Sequence, residues 1–551
     1  MTYEHSPAHD RARRGKRNRN ANRDRRAVGR GGDPRPARCR KKRDAPAAPP
    51  MHGDGPCPVM RACGGCAWLN LPYRKQLARK QAAMEELFAP LLSAHAPKLA
   101  LDSIRGMGGT CDDGKLPAPR AFRHKAATPF APTADGGVSC GFFARGTHDI
   151  VAVPSCAVEA PGARAILNGV AAAAQDLGIS AYNEDTHQGL LRYAVLRLGW
   201  KSAEGVLTLV TSRRDVPHLN ELAERAQQID PRITVVAQNV NPRVTNAILG
   251  GETRILRGPD HMTDSLLGCT FRISPTAFYQ TNPEQTEVLY QLAIDGMDLR
   301  AGDVLMDAYC GSGTIGLCAA AAMRERGRDI RLLGVERNPA GIADARRNAE
   351  LNGLSNAAEF LTRDATDYML EAASRGERVD VLSIDPPRAG STPEFLGAAA
   401  ALAPRRIVYV SCNPETQARD LEQLLSTGYE LLRLTPVDMF PHTEHVETVA
   451  VLSRKSASKS FIPVSISPKD MGLSEEKEQP TYANIRDYIQ KTHGMKVSTL
   501  YVAQMKAECG LETQADRSGD KKQPKCPPEK REAILDAFRH FGLIGEDGTE
   551  E

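Results

Sequence analysis

The segment Val304-Leu-Met-Asp307-Ala-Tyr309-Cys-Gly311-Ser-Gly313-Thr-Ile-Gly316 constrains the fold more than any other. An apolar run ends in an acid, a glycine-rich turn follows, and a helix opens. The glycines let the backbone approach a ligand at the helix N-terminus. A strand, turn and helix of this kind belong in an open α/β sheet, whose chemistry sits at the carboxyl ends of the strands. Two more runs fit the same sheet. Val379-Asp-Val-Leu-Ser-Ile384 is broken by Asp385-Pro-Pro-Arg388, a rigid loop that projects Asp385 and Arg388. Ile407-Val-Tyr-Val410 stops at Ser411-Cys412-Asn-Pro414, so a cysteine stands at a strand's carboxyl end. A buried structural thiol is the ordinary reading of one cysteine. The acidic loop upstream and His445-Val-Glu447 downstream make Cys412 a candidate for chemistry.

A glycine-rich turn alone would suit a dinucleotide equally. Two acids favour S-adenosylmethionine: Asp307 before the turn, where an ammonium could be paired, and Glu336 at the end of Leu332-Leu-Gly-Val335, suited to ribose hydroxyls. The Gly-Lys-Ser/Thr of a phosphate-binding loop is absent from this turn. Gln280, just before a helix expected over Pro283–Ile294, is a further candidate contact. Another helix is expected over about Pro339–Leu351.

Ahead of this region stands Cys57-Pro-Val-Met-Arg-Ala-Cys63-Gly-Gly-Cys66, three thiols in ten residues. Cys156 is the candidate fourth, past a strand-like run over His148–Val153. Zinc and a [4Fe–4S] cluster are both open to four cysteines. Zinc sites usually come as two Cys-x₂-Cys knuckles, so three clustered ligands and one distant one favour iron–sulfur, in a structural or redox-sensing role. The 13 cysteines of the 551-residue chain fit reduced thiols rather than a disulfide framework. No apolar run approaches the ~20 residues of a membrane helix, and no secretory signal opens the chain, so a cytoplasmic protein without membrane contact is expected.

Residues 1–45 hold 16 Lys and Arg against 5 Asp and Glu, which leaves the rest of the chain net acidic under an overall charge of +5. The expected organisation is a disordered basic tail over 1–56, a metal-bearing and β-rich domain over 57–265, a catalytic domain over 266–455, a polar linker over 456–480 and a small helical extension over 481–551. The tail suits RNA as a counterion-displacing arm, or serves solubility. A basic amphipathic helix is expected over Tyr73–Phe88, with Leu77, Met84, Leu87 and Phe88 as its apolar stripe. Runs such as Phe122-Arg-His-Lys-Ala126, Gly141-Phe-Phe-Ala-Arg145, Leu191-Arg-Tyr-Ala-Val-Leu-Arg197 and Ile233–Ala237 read as strands, and Arg and aromatics interleave in several of them. That pattern suits single-stranded RNA and equally an ordinary amphipathic sheet. The extension reads as helices over Tyr482–Lys491, Ser498–Cys509 and Pro527–Phe541, either a nucleic-acid module or a domain docking on protein.

Taken together, Phe278-Tyr-Gln280, Asp307-Ala-Tyr-Cys-Gly-Ser-Gly313, Asp385-Pro-Pro-Arg-Ala-Gly390, Ser411-Cys-Asn-Pro414 and His445-Val-Glu447 resemble the RNA uracil-5-methyltransferase family over about residues 57–454. The four cysteines resemble the [4Fe–4S] ligands of the branch acting on 23S ribosomal RNA, although a basic tail stands where many members carry a small β-barrel. The resemblance implies a class I, Rossmann-like S-adenosylmethionine-dependent methyltransferase domain, a β-rich RNA-binding domain and a monomer acting on 23S rRNA. It implies Cys412 as the nucleophile at C6 of uracil, Glu447 as the base for the C5 proton, and Gln280, Tyr309, Glu336 and Asp385 around the cofactor. A tRNA uracil-5-methyltransferase and a non-catalytic iron–sulfur rRNA-binding factor are the alternatives.

Overall fold

The computed structural model describes residues 57–110, 116–144, 147–455, 480–511 and 525–545. The basic tail over 1–56 and the linker expected over 456–480, save Pro480, lie outside the described residues, as does Arg145. The described residues up to Lys455 form one compact unit, and those beyond form a second.

The first unit is built on a sheet with β1 (Val304–Ala308), β2 (Arg331–Glu336), β3 (Ala358–Thr362), β4 (Val381–Ile384), β5 (Arg406–Ser411), β6 (Tyr429–Val437) and β7 (Glu447–Arg454). Their order is β3-β2-β1-β4-β5-β7-β6, extended past β6 by Arg105–Gly106 and Gly109–Thr110. Strand β7 runs antiparallel between β5 and β6, while β1 to β5 are parallel. Both faces of a parallel sheet are covered, so its strands are apolar throughout. In β5, Val408 and Val410 enter one core and Ile407 and Tyr409 the other, as two-residue alternation requires. Helix starts are set locally. Asn338, Asp364, Thr392 and Asn413 each accept a backbone N–H of the first turn, and Pro339, Pro393 and Pro414 occupy that turn.

The preceding half is more helical than its strand-like runs imply. Its described strands form a sheet in the order Ile150–Ala152, Val138–Phe143, Lys125–Pro132, Leu191–Leu198, Gly205–Thr211, Ile233–Val240 and Glu252–Arg257. Helices Ala163–Asp176 and Leu219–Ile229 share a core with it through Ile166, Leu167, Val170, Leu222 and Ala226. The interleaved arginines are partly structural. Arg192 is buried, bonded to the Asn241 and Arg243 carbonyls and paired with Glu184. Buried Arg197 donates to the carbonyls of Tyr279 (3.0 Å) and Ala277 (3.2 Å).

The expected boundary at 265/266 falls inside a hairpin, Met262–Leu266 with Cys269–Ile273. The hairpin buries Met262, Leu266, Phe271 and Ile273 with Leu305 and Ile342 of the catalytic sheet's layer. The N-terminal helix also belongs with that sheet. It runs over Tyr73–His95, past the expected end at Phe88 and through Pro90, and Leu87 is only half-buried. Its Lys80 is not on a solvated basic face: fully buried, it donates to Asp438 Oδ1 (2.6 Å) and to the carbonyls of His445 (2.7 Å) and Phe440 (3.2 Å).

In the second unit the described helices are Tyr482–His493, Thr499–Glu508 and Pro528–His540. They close on Ile485, Ile489, Val502, Met505, Ile534 and Phe538. Ser498 caps the second helix, as its sequence position suggests. Among the described residues, no helix is long and apolar enough to cross a membrane.

Candidate active site

The strand order reverses between β1 and β4, the position where open α/β sheets leave a crevice at their carboxyl ends. A cavity of about 580 Å³ opens there. Its lining brings together Gln280, Asp307, Tyr309, Glu336, Asp385, Arg388, Cys412, His445 and Glu447 from loops spread over more than half of the sheet's strands.

At the end of β1, buried Asp307 accepts the Gly316 N–H at its Oδ2 (3.0 Å), tying the turn to the helix it starts. Tyr309 follows with φ of +63° and Gly311 with φ of +55°. The left-handed region is costly for a tyrosine and free for glycine. A Cβ added at Gly311 would meet nothing within 4 Å, and the residue lines the cavity. Tyr309 is held by packing on Phe395, with ring centroids 5.3 Å apart. At the end of β2, Glu336 Oε1 accepts the Asn338 N–H (2.8 Å), which orients the carboxylate at the pocket.

The two loops nearest the thiol are stitched together. Asn413 Nδ2 and Thr416 Oγ1 both donate to the Arg388 carbonyl (2.9 and 3.2 Å), so the Asp385-Pro-Pro-Arg388 loop and the Cys412 loop form one wall. In the antiparallel register Ser411 faces Thr448. One step further along this register Cys412, just past the end of β5, comes opposite Glu447, the first residue of β7. Cys412 is half-buried, and its thiol is pushed up by burial and by the charges of Glu447 and Asp385, with Arg388 opposing. Glu447 is buried, which pushes its carboxyl up to about 8, with Asp385 adding and Arg388 opposing. Burial likewise raises Asp307 to about 7, and burial with the nearby Asp307 charge raises Asp385 to about 7. A cation bound beside such carboxyls would draw them back toward the ionised form. His445 lines the same pocket, as two-residue alternation with Glu447 suggests.

Two lysines at this site were not singled out in the sequence. Lys80 fixes the Phe440 and His445 carbonyls beside the pocket, and Lys125 lines the pocket itself. Lys125 stands in the interleaved run Phe122–Ala126, which was the available signal. Lys80 gives no local signal, because its partner Asp438 is 358 residues away.

Cys57, Cys63, Cys66 and Cys156 line a second, smaller cavity of about 40 Å³, together with Arg123, Phe142 and Glu159. The Gly65 N–H points at Cys63 Sγ (3.4 Å). Burial and the other three thiols push Cys66 up to about 12. Among the described residues, no three His, Cys, Asp or Glu side chains are gathered as they would be around a single metal ion.

Residues 260–455 match the tRNA (Uracil-5-)-methyltransferase family. The chain is 37% identical over 409 residues to an uncharacterized RNA methyltransferase of Halalkalibacterium halodurans, covering 74% of this chain and 85% of the relative. It is 36% identical over 400 residues to an uncharacterized RNA methyltransferase of Staphylococcus aureus, covering 73% and 84%. The crystal structure of Pyrococcus abyssi tRNA (uracil-54, C5)-methyltransferase in complex with S-adenosyl-L-homocysteine superposes with a TM-score of 0.55 at 27% identity, over 71% of this chain and 86% of that one. The sheet order, the glycine turn beneath Asp307 and Glu336, and these likenesses agree: the chain is an S-adenosylmethionine-dependent RNA methyltransferase and belongs to the RNA uracil-5-methyltransferase family.

Proposed function

We propose that this enzyme methylates C5 of a uridine in 23S rRNA, with Cys412 as nucleophile and Glu447 as base. The observation that carries the chemistry is the β5–β7 register, which brings Cys412 opposite Glu447 at the acid-lined pocket. The turn at Gly311 and the acids Asp307, Glu336 and Asp385 fit S-adenosylmethionine, which supplies a methyl group on a cationic sulfur. C5 of uracil is a poor nucleophile until a thiolate adds to C6 and sends the ring electrons toward O4. Cys412 forms that S–C6 bond. The electrons return through C5, which takes the methyl group. Glu447 then removes the C5 proton, and the electrons of that C–H bond expel the Cys412 thiolate from C6. Arg388, the cation acting on both Cys412 and Glu447, favours the ionised forms that start the sequence. The uracil has to leave its stack to reach the thiol, so looped RNA is the favoured substrate. Phe278, exposed at 67% on the rim, offers a ring face for a base.

The choice of 23S rRNA rests on the cysteine set. Four thiols line one cavity, and their sequence spacing, three clustered and one distant, suits a [4Fe–4S] cluster better than the paired knuckles of zinc. Cys57, Cys63, Cys66 and Cys156 would hold a [4Fe–4S] cluster, whose irons take four thiolate ligands. Iron and acid-labile sulfide in equal amounts in anaerobically purified protein is the expected result. A monomer goes with this reading, and a cysteine-rich chain of reduced thiols favours the cytoplasm.

The second reading, a tRNA substrate, draws on the likeness to the Pyrococcus abyssi enzyme. Labelled S-adenosylmethionine with unmodified 23S rRNA or tRNA, followed by nucleoside analysis, separates the two. Label in 5-methyluridine from 23S rRNA supports the proposal, and label confined to tRNA overturns the substrate while keeping the chemistry.

A further inference from the structure

Lys125 opens the strand Lys125–Pro132 and lines the catalytic pocket. The His124 N–H donates to the Thr281 carbonyl (2.8 Å), so the segment carrying Lys125 is tied to the one carrying Gln280. Among the described residues the Lys125 ammonium has no hydrogen-bond or ion-pair partner. Lys80 shows what a buried lysine ordinarily has, a carboxylate and two carbonyls. Burial, then the charges of Arg197 and Arg123, holds the Lys125 ammonium down at about 8. No acid is among the charges acting on it. Arg197 is not free to serve a ligand, since its guanidinium is spent on the Ala277 and Tyr279 carbonyls. Half-buried and charged at neutral pH, the ammonium stands among like charges with no anion beside it, a position that favours an arriving anion.

The position selects the anion. The charges acting on Cys412 are Glu447, Asp385 and Arg388, whereas those acting on Lys125 are Arg197 and Arg123. The two groups enter one cavity from different segments, Cys412 from the end of β5 and Lys125 from the strand tied to Thr281 beside Gln280. The negative charge that develops on the reacting ring belongs to the first. The permanent negative charge of the same nucleotide is its phosphodiester, the anion left for an ammonium that no acid faces.

We propose that Lys125 binds the phosphodiester of the nucleotide whose base enters the pocket, a phosphate subsite that sets the RNA backbone in register with Cys412. This rests on the reading of the pocket as a uridine site in RNA. A single point charge is enough for such a contact and carries no sequence information, so the subsite positions the strand rather than selecting it.

The test compares the wild-type protein with Lys125→Met, which keeps the side chain's bulk, and Lys125→Arg, which keeps its charge. The probe is unmodified 23S rRNA transcribed in vitro. In Lys125→Met, KM for the RNA rises on the order of tenfold and the loss falls on KM rather than kcat. The slope of log binding constant against log salt becomes shallower by about one unit. Lys125→Arg recovers both quantities, and all three proteins bind S-adenosylmethionine alike, which shows an intact pocket. A fall in kcat with KM and salt slope unchanged places Lys125 at the reacting ring and overturns the proposal, as does a Lys125→Met protein with wild-type values throughout. Failure of the wild-type protein itself to bind or methylate the RNA overturns the functional reading, and the phosphate subsite with it.

Discussion

Glu447 is held in a state opposite to the one its proposed role requires. Its carboxyl is raised from 4.5 to about 8 by burial, so at neutral pH the resting side chain carries a proton. Accepting the C5 proton needs the carboxylate. Single-turnover release of 5-methylated RNA from the enzyme, at saturating S-adenosylmethionine, is predicted to rise with pH through about 8 and to go on rising above it as the Cys412 thiol ionises. A rate that is flat from pH 6 to 9 would contradict this role. The same burial has a cost in stability. Between pH 4.5 and about 8 the folded protein keeps a proton that the unfolded chain releases, so stability falls as pH rises through that window. Glu447→Gln carries no such charge. Its melting temperature at pH 8 in the absence of ligand is predicted to exceed that of the wild type, and the gap is predicted to close toward pH 5. This is the trade expected where an active site stores unfavourable burial.

Among elements, the helix Tyr73–His95 is the least expected contributor to the site. Tyr73 Oη donates to Asp438 Oδ2 (2.7 Å), and Lys80 bonds Asp438 and the carbonyls of Phe440 and His445. The helix therefore holds the loop that leads into β7 and Glu447. Lys80→Met leaves Asp438 buried without its cation, a change that costs about 3–5 kcal/mol. Urea denaturation is predicted to show that loss, with kcat falling in the protein that remains folded. None of this was legible in the sequence, because a partner 358 residues away leaves no periodicity to read. The strands ending in Asp307, Glu336, Asp385 and Cys412 were legible. Each couples an apolar run to a glycine or proline stop, and that coupling is local. The helices Ala163–Asp176 and Leu219–Ile229 escaped for the opposite reason. Half of the residues the first buries are alanines, whose short side chains mark a helical face weakly, and the second is only three turns long. The arginines of Leu191–Leu198 were open to an RNA reading, and burial turns Arg192 and Arg197 into internal fasteners.

At the scale of the whole molecule, every residue placed at the pocket lies between Tyr73 and Glu447, inside the first compact unit. A protein ending at Lys455 is accordingly predicted to bind S-adenosylmethionine with unchanged affinity by calorimetry. A tenfold loss would show that the helical extension contributes to the fold of the site. The central claim is narrower than the fold: Cys412 bonds to the base, and Glu447 releases it. The most direct measurement is denaturing electrophoresis of protein incubated with labelled 23S rRNA and S-adenosylmethionine. Glu447→Gln is predicted to accumulate an RNA–protein adduct that survives denaturation, because the methylated ring keeps its C5 proton and cannot expel the thiolate. The double variant Cys412→Ala/Glu447→Gln is predicted to form none. An adduct that persists without Cys412, or full methyl transfer by Cys412→Ala alone, would contradict the account.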